Sequence, residues 1–141
     1  MTMAKARKEM ELAVHIGNQP GELAKLLSSL SNADVNVLAY CAYSEHDQGV
    51  VLLVTNDIFR ARQALESSGY NCKANPIVLV SDADHVGAVA ALGACLGAAG
   101  INILYSYASS SGAEEFHAVI KTNDDDAVIH LLNPARRHGG I

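Results

Sequence analysis

Apolar and polar side chains alternate along Leu12-Ala13-Val14-His15-Ile16, the pattern of a half-buried strand. An Asn18-Gln19-Pro20-Gly21 turn follows. Leu23, Leu26, Leu27 and Leu30 then recur at i, i+3, i+4 and i+7, with Ala33 extending the stripe. That spacing predicts a helix with one buried face, ended by Asn32 to Asp34. Val35 to Tyr43 is rich in β-branched and aromatic residues and predicts a strand. Glu45 to Gln48 is a polar turn ending at Gly49, and Val50 to Val54 completes a hairpin. Asn56 or Asp57 can cap a second helix bearing Ile58, Ala61, Ala64 and Leu65, which Ser67-Ser68-Gly69 stops.

The same order then returns. Ile77 to Val80 is an apolar strand and Asp82 to Gly87 a turn. Val89, Leu92, Leu96 and Ala99 make a helical stripe. Ile101 to Tyr107 and Phe116 to Lys121 are strands around a polar turn, Ser109 to Glu115. Asn123 and Asp124 can cap a last helix bearing Val128, Ile129, Leu131 and Leu132. One constant offset relates Gly21 to Gly87, Leu23 to Val89, Leu26 to Leu92, Leu30 to Leu96, Ala33 to Ala99 and Asn36 to Asn102. The chain is therefore two related units, residues 10–75 and 76–141, each too small for a large core of its own.

No Gly/Ser linker separates Gly69 from Pro76. Tyr70 to Val80 can be one long strand that ends the first unit and begins the second, with Pro76 at a bend or an edge. After Leu132 only Asn133-Pro134-Ala135-Arg136-Arg137-His138-Gly139-Gly140-Ile141 remains. That is poor strand material, so the second unit lacks an evident last strand or takes its cover from elsewhere. The expected fold is α+β: two ferredoxin-like βαββαβ units side by side, their antiparallel sheets fused into one, with helices on one face.

Asn18-Gln19-Pro20-Gly21-Glu22-Leu23, followed by Val35-Asn36-Val37, resembles the ACT domain. Asp84-His85-Val86-Gly87 with Ile101-Asn102-Ile103 repeats the match at the same spacing. The resemblance runs roughly from Glu11 to Leu132, and Asn102 to Ala108 is similar to the second unit of small stand-alone tandem ACT proteins. ACT domains are amino-acid-sensing regulatory modules. The resemblance implies a free amino acid held between the loop of one unit and a neighbouring unit, and it carries over to Asn18, Gly21 and Asn36.

The residues of the turn suit that chemistry. Gly21 permits a backbone that other residues avoid, and Pro20 fixes the turn without needing a donor. The N–H groups of Glu22 and Leu23 open a helix and lack intrahelical acceptors, so a carboxylate fits there, helped by the helix dipole. Asn18 offers both a donor and an acceptor. With the strand after this helix expected beside the first strand, Asn36 comes near Asn18. Asn18 is equally a turn or cap residue, Gly21 a turn glycine, and Asn36 a side chain bonding the adjacent loop. At the second loop Asp82 and Asp84 oppose a ligand carboxylate but accept an ammonium, and His85 offsets part of their charge. Asp84, His85, Gly87 and Asn102 are the candidate residues there. Val86 stands where the first turn has Pro20, so the second loop is expected to be shaped differently.

Composition narrows the classes. Of 141 residues half are hydrophobic and 18% charged, enough to bury a core. A net charge of −5 disfavours nucleic acid. The basic residues Lys5, Arg7, Lys8, Arg136 and Arg137 cluster at the ends and read as solvated tails. There is no signal-peptide pattern and no stretch long enough to span a bilayer. Cys41, Cys72 and Cys95, at unrelated spacings, read as reduced core residues of a cytoplasmic protein. The histidines show no zinc spacing, and His15 and His117 are expected on solvent-facing or lateral strand positions. Asp124-Asp125-Asp126 reads as an acidic, capped first helical turn. Tyr40, Tyr43, Tyr105 and Tyr107 are placed on central strands, packing a sheet face or an interface. Gly93, Gly97 and Gly100 cost helix stability and suggest close helix packing across a dimer. No catalytic triad order or phosphate loop stands out.

The expectation is a non-catalytic, allosteric homodimer without cofactor or metal, binding an amino-acid effector and acting on an unseen partner enzyme or regulator. Such an effector shifts an equilibrium only through differential affinity. Alternatives are a structural dimerisation module without ligand and an acylphosphatase-like hydrolase. The hydrolase needs an arginine at an anion loop, and Arg60 and Arg62 lie far in sequence from either turn.

Overall fold

The first apolar alternation is the second half of a longer strand, β1 (Lys5–Gly17). The computed structural model describes residues 4–112 and 114–133. After β1 come α1 (Glu22–Asn32), β2 (Val37–Glu45), β3 (Gln48–Thr55), α2 (Ile58–Ser67), β4 (Cys72–Ala83), α3 (Ala88–Ala98), β5 (Ile103–Ser110), β6 (Glu115–Thr122) and α4 (Asp125–Leu132). The strand-helix-strand-strand-helix plan is thus present twice. Residues 134–141, with Arg136, Arg137 and His138, lie outside the described residues, as does Ala113 in the expected turn after Ser109.

The chain packs as two compact units, Met10–Asn75 and, among the described residues, 76–133 together with 4–9. β1 and β4 each run unbroken across that division, and β4 contains Pro76, as the strand without a linker requires. The strand order is β2-β3-β1 in the first unit and β4-β6-β5 in the second. Neighbours within each unit are antiparallel.

Each unit buries one face of its strands under its helices. Leu12 and Val14 pair across β1 and β3 with Leu53 and Val51, and Leu26, Leu30, Ala61 and Leu65 close over them. All eight are fully buried. In the second unit Val78, Val80, Phe116, Ala118 and Ile120 lie against Leu92, Leu96, Val128 and Leu132. Burying a leucine of this kind contributes about 1.5–3 kcal/mol.

Three helices end in one way. A left-handed residue follows the last turn, and the next N–H reaches back five residues: Val35 to Leu30 C=O, Tyr70 to Leu65 C=O and Ile101 to Leu96 C=O, each at 3.0 Å. The left-handed residue is Gly69 or Gly100 in two cases and Asp34, φ 59°, in the third. This satisfies the carbonyls a helix end leaves open. α2 and α4 start on aspartate caps. Asp57 accepts from the Arg60 N–H and Asp124 from the Ala127 N–H, both at 3.0 Å. Asp126, in the acidic first turn of α4, pairs with Lys8, and the hydrogen bond, with the acidic charges of that turn behind it, raises the Lys8 pKa above the usual lysine value.

The missing cover of the second unit comes from the start of the chain. Lys5, Arg7 and Lys8 do not form a solvated tail: they are strand residues of β1 whose charged side chains face out while Ala6 is buried. Ala4 and Ala6 join the second core. The Asn133 side chain holds the Ala6 backbone at both groups, accepting from its N–H at 3.1 Å and donating to its C=O at 2.7 Å. In the first unit Cys72 and Ala74 of β4 cover the core in the same way.

Other expectations need correction. Tyr40 and Tyr43 on β2, and Tyr105 and Tyr107 on β5, lie on end strands of their units rather than central ones. Tyr40 and Tyr43 are about half exposed, at 49% and 46%. None of the three cysteines is fully buried, and Cys95 is exposed on α3. Gly93 and Gly97 are exposed within α3, where an added Cβ would meet nothing within 4 Å, so no packing within the chain requires their smallness. Gly100 belongs to the helix-ending turn.

Candidate functional site

The β1–α1 and β4–α3 loops are type II turns on a left-handed glycine. In the first, the Glu22 N–H donates to Gln19 C=O at 3.3 Å around Pro20-Gly21, and Gly21 has φ 90°, ψ −10°. In the second, the Ala88 N–H donates to His85 C=O at 2.9 Å around Val86-Gly87, and Gly87 has φ 88°, ψ 0°. A type II turn needs positive φ at its third residue, which glycine supplies without steric cost. Val86 in place of Pro20 therefore leaves the loop shape unchanged, contrary to expectation. Glycine, not the proline, sets this geometry.

Each glycine is also the N-cap of its helix, and neither helix has a side-chain cap bond. The first helical bonds are Lys25 N–H to Gly21 C=O at 3.0 Å and Ala91 N–H to Gly87 C=O at 2.9 Å. The N–H groups of Leu23 and Ala24, and of Val89 and Ala90, precede those bonds and point out of the helix ends. The Glu22 N–H, expected to be open, is taken by the turn itself. Leu23 turns its side chain toward the core, leaving only its backbone for the loop. The Glu22 side chain folds back over Gly17, where an added Cβ would come within 3.6 Å of its Cδ. Its carboxylate flanks the loop and adds negative charge beside the helix end.

Asn18 and Asn36 do not meet within the unit. β2 pairs with β3 and β3 with β1, so β3 lies between the strands that carry them. Gly17 pairs with Gln48 and Val37 with Thr55, which places the two asparagines at opposite ends of β3, about 24 Å apart along it. The physical reason is the crossover. α1 carries the chain back along the length of β1, so β2 starts at the end where β1 starts.

Asn36 instead joins a clamp. Its N–H donates to Asn56 Oδ1 at 2.9 Å, and the Asn56 N–H donates to Asn36 C=O at 3.1 Å. Asn102 and Asn123 repeat it at 3.0 and 3.1 Å. Each clamp ties the end of a unit's first helix to the start of its second. Sequence reading assigned Asn56 and Asn123 to possible caps and missed this role. The signal was available: both precede the capping aspartate, and only one cap is needed.

The second loop is closed by its own chain. Ser110 Oγ donates to the Asp84 carboxylate, and the Asp84 N–H donates to Glu114 C=O at 2.9 Å. His85 Nδ1 lies 3.0 Å from Val86 C=O, and Asp82 accepts from the Ala83 N–H at 2.7 Å. Asp84 is therefore engaged rather than open to an ammonium. The exposed Asn18 side chain makes no such bond among the described residues. Among the described residues no group of three or more His, Cys, Asp or Glu is placed to hold a metal. No helix there is long and apolar enough to cross a membrane.

A family model described as an ACT domain pair matches residues 8–133. The chain belongs to the ACT domain pair family. The ACT pair is similar in structure to protein BT0572 from Bacteroides thetaiotaomicron, with TM-score 0.84 and 24% identity over 93% of this chain and 90% of that one. It is also similar to the ligand-free regulatory subunit of aspartate kinase from Thermus thermophilus, with TM-score 0.69 and 16% identity over 94% and 96% of the two chains. The corresponding subunit from Thermus flavus gives TM-score 0.62 and 19% identity over 94% and 96%. At these identities the likeness is one of fold. No curated protein matches this ACT pair.

Proposed function

We propose that this ACT pair is a non-catalytic regulatory protein of the cytoplasm that binds a free amino acid at the β1–α1 loop of its first unit. Asn18, Pro20, Gly21, Glu22 and Leu23 are the contact residues, while Asn36 and Asn102 enter their clamps through backbone groups alone. The observation that carries the reading is the pair of type II turns with left-handed glycine caps and no side-chain cap. They leave helix N–H groups open to a carboxylate, and only the first loop keeps its polar side chain unengaged. The Glu22 carboxylate beside it suits the ammonium of a zwitterion. The structural likeness to regulatory subunits of aspartate kinase supports a regulatory role exerted on a partner enzyme.

A thermal-shift series of the twenty amino acids against wild type and Asn18→Ala tests this. A ligand at 100 times its Kd stabilises by about 2.7 kcal/mol. One amino acid is expected to raise Tm in the wild type and to lose most of that effect in Asn18→Ala. A flat response to all twenty overturns the reading.

A second reading, a ligand-free module that joins two copies of the chain, is favoured by α3. Eight of its eleven residues are exposed, and its sequence, Ala88 to Ala98, contains no polar side chain beyond the Cys95 thiol. It predicts a dimer in solution and no thermal response.

A further inference from the structure

Among the described residues, two buried side-chain polar atoms have no hydrogen-bond partner, Thr55 Oγ1 and Tyr70 Oη. They stand at the two ends of α2. Thr55 is the last residue of β3, just before the helix, and Tyr70 follows its end, with its N–H on Leu65 C=O. A buried polar group without a partner has given up its hydration for nothing in return. Both atoms regain water when α2 leaves the core.

The second unit shows the same joint fully bonded. Past the hairpin the repeat runs one residue longer, so Thr55, Asp57 and Ile58 correspond to Thr122, Asp124 and Asp125. Thr55 pairs with Val37 and Thr122 with Ile103, at the same place in each hairpin. Thr122 Oγ1 donates to Asp125 Oδ1 at 2.7 Å and accepts from the Asp124 N–H at 3.1 Å. Lys121 adds a bond to Pro76 C=O at 2.7 Å and an ion pair with Asp125 at 3.6 Å. In the first unit Ile58 stands where Asp125 accepts, so Thr55, 7% exposed, lacks its acceptor.

α2 also buries less, with Ala61 where α4 has Val128. Its far end is held by Arg62, which donates from an exposed position to Glu66 at 2.9 Å and to Cys72 C=O at 3.3 Å. Exposed bonds of this kind contribute little. At the place of Glu66 the second unit has Asn133, which grips the Ala6 backbone at both groups.

We propose that α2 is a release element, which undocks from the first core as one piece while α4 stays docked on the second. Leu26 and Leu30 of α1 share the first core with Ala61 and Leu65 of α2. Docking of α2 is therefore coupled to the setting of α1, whose start forms the Gly21 loop. The release holds whether or not that loop takes an amino acid. Only its use as a readout of ligand rests on the amino-acid reading.

Native-state hydrogen exchange of the full chain, followed by mass spectrometry, tests this. Corrected for intrinsic rates, the amides of α2 are expected to exchange about tenfold or more faster than those of α4. The double variant Thr55→Val, Tyr70→Phe keeps both shapes and removes both oxygens. It should slow α2 about tenfold or more and leave α4 unchanged. Gly21→Ala strains the start of α1, where φ is 90°, and should speed α2 about fivefold or more without effect on α4. The proposal is overturned by α2 amides as protected as those of α4, or by a double variant that fails to fold or does not slow α2. Gly21→Ala that leaves α2 as in wild type, or speeds α4 equally, also overturns it. A flat thermal response to all twenty amino acids bears on the loop and leaves the release standing.

Discussion

Gly93 and Gly87 lie six residues apart, and an alanine Cβ at either would meet nothing within 4 Å. They differ in backbone. Gly93 is inside α3 with helical geometry, whereas Gly87 caps that helix at φ 88°. Replacing each by alanine therefore isolates conformational cost from packing. At Gly93 the change removes the penalty of a mid-helix glycine and is expected to stabilise by about 0.8–1.0 kcal/mol. At Gly87 it forces an L-residue into the left-handed region and is expected to destabilise by about 1–2 kcal/mol. The two variants should separate by about 2–3 kcal/mol, with Gly93→Ala melting roughly 4 °C above wild type. Urea unfolding followed by circular dichroism reads both. A Gly93→Ala variant less stable than wild type would refute the reasoning, because it would mean that something packs closely on the outer face of α3.

Further outcomes follow from the geometry. Asn123→Ala removes the side-chain half of the Asn102 clamp and should cost about 1 kcal/mol in urea unfolding, and Asn56→Ala should cost a similar amount. An effect of either below about 0.3 kcal/mol would count against the clamp as a stabilising device. Burial, and secondarily the charge of Glu66, raises the Cys72 thiol above its ordinary 9.0. The folded state thus holds that proton more tightly than the unfolded chain. The stability this gives is complete below about pH 9 and declines as pH rises through the folded value. Iodoacetamide at pH 8, read by mass spectrometry, should label exposed Cys95 well before Cys72.

The repeat was legible because burial imposes it twice. Leu26 and Leu30 must face a core, so must Leu92 and Leu96, and the offset between them exposes the duplication. The helix ends were legible at Asn32–Asp34 and at Gly69, but Gly100 read as a packing glycine, and nothing in the pattern told that Asp34 takes the left-handed conformation of a glycine. What sequence pattern does not encode is which strand lies beside which. Asn18 and Asn36 sit in recognisable elements, yet they were brought together on the wrong adjacency, and the true order places them at opposite ends of β3. The first strand of the second core was hidden for another reason. Between Lys5 and Lys8 only Ala6 is apolar, and one small side chain among three cations does not register as a buried face. Pro20 drew attention that belonged to Gly21, since Val86 supports the same turn.

The Ala6–Asn133 contact joins residues 127 apart in sequence, and it sets the order in which the molecule can be completed. During synthesis residues 4–9 leave the ribosome well before the helix they pack beside. At about 5–20 residues per second the early strand waits on the order of 6–25 s for its partner. The second unit is thus finished with a segment translated before the whole of the first. Separating the chain at its repeat boundary would strand those residues on the wrong fragment.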